Sequence, residues 1–519
     1  MSEIKCDEKL CAVCGHDCGH SHHSDEIEMK PVSVEEMALR REARAALQKR
    51  LLRQLGVPVI SFTMNIAGPY KYSPAIETCF NVGIDELKKS LLGFNLRPVH
   101  EEYHIDHTGC EGFFAVKGAA KLIKAVAVKL EDRFGFGRLF DIDVIDKDGT
   151  KLERAKARKC LVCDRPAREC ARNRTHSVEE LQKKTDELLR DAIAYSASMA
   201  AFRALIDEVE TTPKPGLVDL VNNGANNDMT PELFRASAEA LAPYYYSMAY
   251  TAADKDAPES GHALGCEEDE GVNCADCPSH ESCHMEHGAS LMTRLTLLGV
   301  EAEARMKAAT NGVNTHKGAI FCLGLLVSAY AKLIAFGMPH STLDIIDEAK
   351  RLAALRPDPG RGTNGADARA RFASSVDPKI AFGADAEARA GFPAAVNAYR
   401  RILGYRLMNL SDNDCYALAL LGIMAELYDT NAYVRAGAEG AEFVRARAKE
   451  IMDMPLSKRL PEAVSFDRQL IGRNINCGGA ADMLAAAIFL DRLNVYLDRR
   501  KGEEERAEHH AHSHGEKND

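Results

Sequence analysis

The sequence predicts a multidomain protein in which an α+β N-terminal domain is followed by an all-α C-terminal domain. Residues 31–190 mix strand-like alternation with amphipathic stretches, whereas Ala- and Leu-rich stretches with helical spacing dominate after Ser177. A length of 519 residues also exceeds what one hydrophobic core usually serves. We therefore expect a first domain over 31–190 and a second over 195–500. A Cys/His-rich tail at 1–30 and a His-rich tail at 501–519 lack the periodic apolar residues needed to fold.

Four elements justify the α+β assignment of the first domain. An amphipathic helix is expected over Val34–Leu55, where Gly56 ends it, and a strand over 57–66. A second helix is expected over 118–134. Alternation of apolar and polar residues over 138–145 predicts another strand, which a turn follows.

Helical spacing is the main signal in the second domain, and no convincing strand pattern accompanies it. The most apolar stretch, Ala319 to Phe336, is interrupted by small and polar residues, so a buried helix is expected there rather than a membrane span. The clearest predicted helices cover 178–206, 231–252, 287–309, 317–336 and 415–427.

The overall charge and the cysteines limit the classes of function. A net charge of -11 argues against nucleic acid as the main partner. The polar residues after Met1 do not form a secretory signal, so a cytoplasmic location with reduced thiols is expected. In that setting, clustered cysteines among the 16 present indicate metal ligands more than disulfides.

Paired carboxylates mark the predicted strand over 138–145. Asp141 and Asp143 are two residues apart, so on a strand they share a face. Such a pair suits Mg²⁺ that is shared with substrate phosphates, and Arg138 just before it could clamp an anion. Solvated acidic residues on an exposed strand are the alternative.

A cysteine-rich segment follows this strand. Cys160, Cys163, Cys170 and His176 have spacing that suits a Cys₃His zinc site. Surrounding basic residues, among them Arg172, would also suit a triphosphate or a coenzyme phosphate. A zinc knuckle for nucleic acid is a further alternative, which the acidic total disfavours.

One apparent motif is set aside. Residues His100 to His104 match the H-E-x-x-H pattern of metalloproteases, which requires a helix. Pro98 precedes them, Gly109 follows closely, and the polar residues alternate in strand fashion, so we expect a strand without protease chemistry.

Five polar loops interrupt the helical half. One contains Lys214 and two carboxylates, and another, before an apolar helix, offers backbone N–H groups that could cradle phosphate. Because five such loops exceed what helix capping explains, we expect one shared polyanion site, with Asp219, Asp228, Asp429 and Asp482 as candidate Mg²⁺ ligands. The residues singled out in these loops are Glu210, Lys214, Gly216, Asp219, Asp228, Asn314, Thr315, His316, Lys317, Gly318, Asp429, Asn431, Arg435, Gly478, Gly479 and Asp482.

A polar insert between two predicted helices holds a second group of thiols. Cys266, Cys274, Cys277 and Cys283 could bind zinc structurally, with an iron–sulfur cluster as the alternative. The Cys/His-rich ends of the chain could bind metals physiologically or adventitiously.

Motifs in each half resemble a known enzyme family. The first half resembles apo-citrate lyase phosphoribosyl-dephospho-CoA transferase, through Ser61 to Thr63, Gly68 to Lys71, Gly137 to Val144, and Cys160 to His176. The second half resembles triphosphoribosyl-dephospho-CoA synthase, through Thr212 to Asp219, Gly224 to Met229, Thr310 to Gly318, Asp429 to Asn431, and Gly478 to Asp482. Many synthases have His where this chain has Asn226.

The resemblance implies two consecutive reactions. The synthase half would join ATP to 3′-dephospho-CoA with release of adenine, while Mg²⁺, Lys214, His316 and Lys317 hold the triphosphate. The transferase half would attach the product to a serine of the acyl-carrier (gamma) subunit of citrate lyase and release pyrophosphate. Lys71 and Arg172 would bind substrate there, beside Mg²⁺ on Asp141 and Asp143.

Two alternatives remain at this point. A malonate decarboxylase prosthetic-group synthase would share the helical fold and the first reaction, but the transferase half argues against it. A metal-handling protein built on the Cys/His tails belongs to a different class, without either reaction.

Overall fold

The computed structural model describes residue 27 and residues 29–255, 290–356, 370–372 and 383–494. These residues divide into two compact units, an N-terminal one that extends to Ser196 and also includes Ile334–Met338, and a C-terminal one formed by Ala197–Leu333 and Pro339–Asn494. The N-terminal unit is α+β and the C-terminal unit is helical, in agreement with the predicted fold class. The predicted tails and the insert with Cys266, Cys274, Cys277 and Cys283 lie outside the described residues.

The N-terminal unit contains one small sheet and the helices that cover it. Ser33 begins the first helix by capping, with its hydroxyl accepting from the Glu36 N–H, and Gly56 ends it in the left-handed conformation at φ 63°. The elements are α1 (Val34–Leu55), β1 (Val59–Met64), α2 (Pro74–Gly93), β2 (Pro98–Asp106), β3 (Gly109–Val116), α3 (Ala120–Arg133), β4 (Phe140–Ile145) and α4 (Ala167–Asn173).

The four strands are antiparallel neighbours in the order β2-β3-β1-β4. Residues His100 to His104 lie within β2, which confirms that this H-E-x-x-H pattern is not on a helix. Thr63 of β1 is opposite Asp141 on one side and Glu111 on the other. Because cross-strand partners share a face, these three side chains form one polar row across the sheet.

Apolar residues on the other face form the main core of this unit. The Phe62 ring makes edge contacts with Phe80 of α2 and Phe140 of β4, at centroid distances of 5.5 and 5.1 Å. All three rings are fully buried. The alternation along β4 therefore leaves Asp141 and Asp143 on the face opposite this core.

A second, smaller apolar cluster fixes α1 to the sheet. Leu51 of α1 is buried against Val59, Phe113 and Ala115. The strand residues of this cluster share the face of the polar row, so α1 packs against that face of the sheet.

The described part of the C-terminal unit is built from helices. The long helix α5 (Val178–Glu210) crosses the division between the two units. The further helices are α6 (Pro231–Ala252), α7 (Leu291–Ala309), α8 (Lys317–Phe336), α9 (Thr342–Leu355), α10 (Ala384–Ala390), α11 (Pro393–Leu407), α12 (Asp412–Glu426), α13 (Thr430–Asp453), α14 (Leu456–Gly472) and α15 (Gly478–Asn494).

Helix α8 is long and apolar enough to cross a membrane by length and composition alone. Its most apolar window has a mean hydropathy of 2.1, and 89% of that window is buried inside the protein. It is therefore a core helix of the folded chain, as predicted, and its N-terminal end opens onto the cavity described next.

Candidate functional site

A cavity of about 570 Å³ lies within the C-terminal unit. All five polar loops of the sequence contribute to it, although they are far apart in the chain. This volume falls in the range of small-molecule sites, roughly 300–1,000 Å³. Residues from these loops that line the cavity include Lys214, Asn226, Asn314, Thr315, His316, Lys317, Gly318, Asp429, Asn431, Arg435, Asn476, Gly478, Gly479 and Asp482.

Apolar side chains also line the cavity. Phe234, Met248, Leu295 and Phe321 are among them. The site thus offers an apolar surface for a flat or hydrophobic group beside the polar loops.

A buried ion pair lies at the cavity. Lys214 Nζ is 2.5 Å from Glu208 Oε1, and both side chains are almost wholly buried. The Lys214 backbone N–H donates to Asp219 Oδ2 at 3.1 Å, so the loop conformation also fixes this lysine. Burial raises the pKa of Glu208, and the Lys214 charge offsets part of that rise.

Asp429 ties two helix beginnings together. Its Oδ1 accepts from the N–H of Asn431 at 2.8 Å at the start of α13, and its Oδ2 accepts from the N–H of Ala480 at 2.8 Å at the start of α15. Backbone N–H groups at helix starts have few other partners, which makes the carboxylate a strong cap. Burial nevertheless raises its pKa, against these hydrogen bonds.

Asp482 lies against the beginning of α8. A Cβ atom added to Gly318 would lie 1.9 Å from Asp482 Oδ2, so only glycine allows this approach. The Ala319 backbone N–H donates to Asp482 and opposes the rise in its pKa. Burial is the main cause of that rise, and the negative charges of Asp429 and Glu208 add to it. Three carboxylates are therefore close enough to interact electrostatically.

His316 is a neutral, buried imidazole at the cavity. It is 3% exposed, and burial lowers its pKa to about 3, with a further contribution from the Lys214 charge. Its ring contacts Phe234 edge to face, with centroids 4.9 Å apart. Lys317, the next residue, is half exposed and pairs with Glu303 at 3.1 Å.

The sheet face that carries the polar row also carries the paired carboxylates. Asp141 is exposed, and Asp143 accepts from Lys151 Nζ at 2.6 Å. Ser61 is opposite Asp143 and Thr63 is opposite Asp141, so two hydroxyls accompany the two carboxylates. The shared face that the Asp-x-Asp spacing predicts is confirmed.

Two cations predicted near this row are bonded to backbone carbonyls. Lys71 Nζ donates to the Ile66 carbonyl at 2.6 Å, and burial lowers its pKa, with Arg41 adding repulsion. The Arg138 guanidinium donates to the carbonyls of Lys159 and Cys160, both at 2.6 Å. Arg138 thereby fastens the cysteine segment to the turn before β4.

The ligand atoms of Cys160, Cys163, Cys170 and His176 all lie within 4.8 Å of one another. His176 Nε2 is 3.3 Å from Cys163 Sγ, and its Nδ1 is 3.8 Å from a Glu180 carboxylate oxygen. A hydrogen bond from the Arg165 backbone N–H, and to a smaller extent one with His176, lowers the pKa of Cys163 to about 6. The spacing therefore identified four side chains that the fold brings together.

The comparisons with known proteins match each half of the chain to one family. Residues 194–501 match the family described as CitG, ATP:dephospho-CoA triphosphoribosyl transferase. Residues 32–192 match CitX, apo-citrate lyase phosphoribosyl-dephospho-CoA transferase. Protein CitXG of Leuconostoc mesenteroides is 30% identical over 487 residues, which cover 87% of this chain and 95% of the relative. The chain belongs to the CitXG family.

Other relatives match over different lengths. Protein CitXG of Haemophilus influenzae is 28% identical over 478 residues, covering 88% of this chain and 96% of the relative. The 2-(5''-triphosphoribosyl)-3'-dephosphocoenzyme-A synthase of Haemophilus ducreyi is 29% identical over 349 residues, covering 63% of this chain and 98% of the relative. The CitG-like part therefore also occurs as a separate protein.

Some predicted residues of the CitG-like unit do not line the described cavity. Glu210 pairs with Arg235 at 3.0 Å, and Asp228 is exposed. Both Asp219 oxygens accept backbone N–H groups within their own loop. Gly216 is needed for the backbone of this loop: its φ is 72°, and an added Cβ would lie 2.6 Å from the Ile475 carbonyl oxygen.

In the CitX-like unit, the predicted Arg172 is exposed on α4.

The cavity also contains residues that the sequence did not single out. Glu208 gives no local signal, since it lies within a helix two residues before Glu210. Glu387 is buried and lines the cavity, and burial raises its pKa to about 7. Asn226, where the sequence departs from many synthases, accepts from Arg435 and from Asn476, both at 3.0 Å, so it fixes other cavity residues.

Proposed function

We propose that this chain makes the phosphoribosyl-dephospho-CoA prosthetic group of citrate lyase and attaches it to the acyl-carrier subunit of that enzyme. In the first reaction, the ribose 2′-hydroxyl of 3′-dephospho-CoA attacks C1′ of the ATP ribose. The bond to adenine breaks, and the hydroxyl proton leaves with the base. In the second reaction, a carrier serine attacks the α-phosphorus of the product, and pyrophosphate leaves.

The convergence of five separated polar loops on one cavity in the CitG-like unit carries this proposal. A cavity with buried cation, carboxylate and imidazole groups beside an apolar surface suits a nucleoside triphosphate. The paired carboxylates of the CitX-like unit lie on a different domain and would serve the second reaction. The domains proposed over 31–190 and 195–500 thus each carry one reaction.

Within the cavity, charge decides the roles we propose. Lys214 and Lys317 would bind triphosphate oxygens, since both line the cavity and carry positive charge. Loss of the base builds positive charge on the ATP ribose, which the carboxylates of Glu208 and Asp482 would stabilise.

Mg²⁺ fits both sites by the chemistry of their donors. Asp482 is repelled by the nearby carboxylates of Asp429 and Glu208, and a divalent cation would reduce that repulsion. In the CitX-like unit, Asp141 and Asp143 would hold the ion. When bound, Mg²⁺ would neutralise phosphate charge in both reactions.

We also propose structural zinc at Cys160, Cys163, Cys170 and His176. Three thiols and an imidazole are a usual donor set for structural Zn²⁺, and the Glu180 carboxylate beside His176 is a typical outer partner. Such a site retains metal where thiols stay reduced, which supports a cytoplasmic location.

The decisive experiment is the intact mass of the citrate lyase acyl-carrier subunit after incubation with this chain, ATP, Mg²⁺ and dephospho-CoA. We expect a mass increase equal to one phosphoribosyl-dephospho-CoA group, with adenine and pyrophosphate released. Adenine release without carrier modification would leave only the first reaction. If neither adenine release nor carrier modification were observed, the proposed function would be contradicted.

The two alternatives make different predictions in the same assay. A malonate decarboxylase synthase would release adenine but leave the citrate lyase carrier unmodified, and the match of residues 32–192 to CitX argues against it. A metal-handling protein would lose its role without residues 1–30 and 503–519. We expect the chain without both tails to release adenine at the full rate.

A further inference from the structure

His316 has one polar atom that the described residues leave without a partner. The ring lines the cavity, and its Nε2 is buried without a hydrogen-bond partner. A buried polar atom without a partner is unfavourable unless a ligand satisfies it. Because the ring is neutral, a single proton on either Nδ1 or Nε2 decides whether Nε2 donates or accepts.

The other ring nitrogen is bonded to a chain of two hydroxyls. Thr315 Oγ1 donates to Ser237 Oγ at 2.8 Å, and Ser237 Oγ lies 2.7 Å from His316 Nδ1. Ser237 is fully buried. Its hydroxyl has one proton and already accepts from Thr315, so that proton goes to Nδ1, the remaining partner among the described residues.

We propose that Ser237 and Thr315 are positioning residues that hold His316 as the Nε2–H tautomer, a neutral hydrogen-bond donor for the departing adenine. An Nδ1 that accepts carries no proton, so the neutral ring carries its proton on Nε2. Phe234 contacts the same ring and lines the cavity, which places an aromatic surface for a purine beside this donor. This inference rests on the proposed function of the CitG-like unit.

The donor would act on the leaving group. As the bond from adenine to C1′ breaks, electrons move onto the purine, and its ring nitrogens become better acceptors. A neutral imidazole can donate a hydrogen bond to these nitrogens without a change in its own charge. The low pKa of His316 agrees with this role, because the imidazole stays neutral throughout the physiological range.

The experiment combines kinetics of adenine release with ¹⁵N NMR of histidine-labelled protein. The His316 signals are assigned by their loss in His316→Gln. We expect the Nε2–H tautomer in the unmodified chain and loss of that preference in Ser237→Ala. For Ser237→Ala we also expect kcat to fall about tenfold, the effect of about one hydrogen bond, with little change in the KM for ATP.

Two variants and one control complete the test. Ser237→Thr keeps the hydroxyl and should restore both the tautomer and kcat. Ser247→Ala removes another hydroxyl of α6, one that donates to the Pro243 carbonyl at 2.9 Å, and should change neither quantity. A rise in KM alone would instead assign His316 to the phosphates and overturn the role at adenine.

Observation of the Nδ1–H tautomer in the unmodified chain would also overturn the proposal. The tautomer is measured without substrate, so its result is independent of the reaction. Absence of adenine release by the unmodified chain would contradict the proposed function instead.

Discussion

At the scale of single residues, the CitG-like cavity depends on buried charges whose partners come from other positions in the chain. Lys214 is 2% exposed, and its ammonium is neutralised by Glu208 of the preceding helix. Removing one partner of a buried pair leaves an uncompensated charge, which costs about 3–5 kcal/mol. Lys214 thus contributes to stability through this pair and is also a proposed phosphate ligand.

Lys214→Met should lower the free energy of unfolding by about 3–5 kcal/mol near pH 8. Burial raises the pKa of Glu208 above its value of 4.5 in the unfolded chain. A carboxyl group with a raised pKa contributes stability that is fully present below its unfolded pKa and is lost as pH rises through its folded pKa. Loss of Lys214 raises the folded pKa further, so the destabilisation should be smaller near pH 5.

Urea unfolding at both pH values measures this effect. The double variant Glu208→Gln with Lys214→Met removes both charges and should recover most of the loss. An equal destabilisation at the two pH values would show that the charge of Glu208 is not its cause.

Lys317→Ala should reduce adenine release about 10- to 100-fold, as expected for loss of one charge-assisted bond to phosphate. Carrier modification from preformed product should be unchanged. Lys307→Ala is the matched control, because Lys307 has a similar exposure and pairs with the same Glu303 but does not line the cavity. A similar loss in both variants would assign the effect to Glu303.

Asp141→Asn should have the reverse effect. Carrier modification should be abolished, because a carboxylate that holds Mg²⁺ is lost, while adenine release continues. Asp148→Asn removes a carboxylate from the turn after the same strand and should change neither reaction. Loss of both reactions in Asp141→Asn would contradict the division of labour between the units.

At the scale of elements, helix beginnings bring the polar loops together. Asp429 caps α13 and α15, and Asp482 contacts the start of α8 across Gly318. These contacts need close backbone approach, which glycine permits. The arrangement of three helix ends thus determines where the cavity carboxylates lie.

Gly318→Ala should lower the unfolding midpoint and reduce adenine release. Alanine favours a helix by about 1 kcal/mol over glycine, but the clash with Asp482 costs about 1–3 kcal/mol. Gly299→Ala, in the interior of α7, places its methyl group in open space and should raise the midpoint. Thermal unfolding of both variants measures the contrast, and a stabilised Gly318→Ala would show that Asp482 moves without penalty.

In the CitX-like unit, the cysteine segment is the element that contacts the strand with the paired carboxylates. Arg138 bonds it to the turn before β4, and Arg158 donates to the Phe140 carbonyl at 2.5 Å. The segment is thereby linked to the strand that carries Asp141. Metal at the cysteines would stabilise this link.

Cys163→Ser should therefore release one zinc ion per chain and reduce carrier modification, with adenine release unchanged. Metal analysis and the two assays measure this. Cys79→Ala removes a buried thiol of α2 in the same unit and should retain the zinc. Equal zinc content in Cys163→Ser and the unmodified chain would contradict the proposed metal site.

At the scale of the whole molecule, each proposed reaction has its own unit. All lining residues of the cavity belong to the C-terminal unit, and Asp141 belongs to the other. We therefore expect a mixture of Asp141→Asn chains and Lys317→Ala chains to modify the carrier faster than either alone. Intact mass of the carrier over time measures this, and no gain on mixing would mean that the intermediate passes only within one chain.

The sequence by itself determined the fold class, the shared face of Asp141 and Asp143, and the five loops of the cavity. Strand alternation, helical spacing and clusters of capping residues are local properties, so neighbouring residues suffice to predict them. Only the tertiary structure decided that Glu208 and Glu387 line the cavity and that Asp219 supports its loop instead. The side chains that meet in a cavity depend on how distant helices pack, and no local pattern records that.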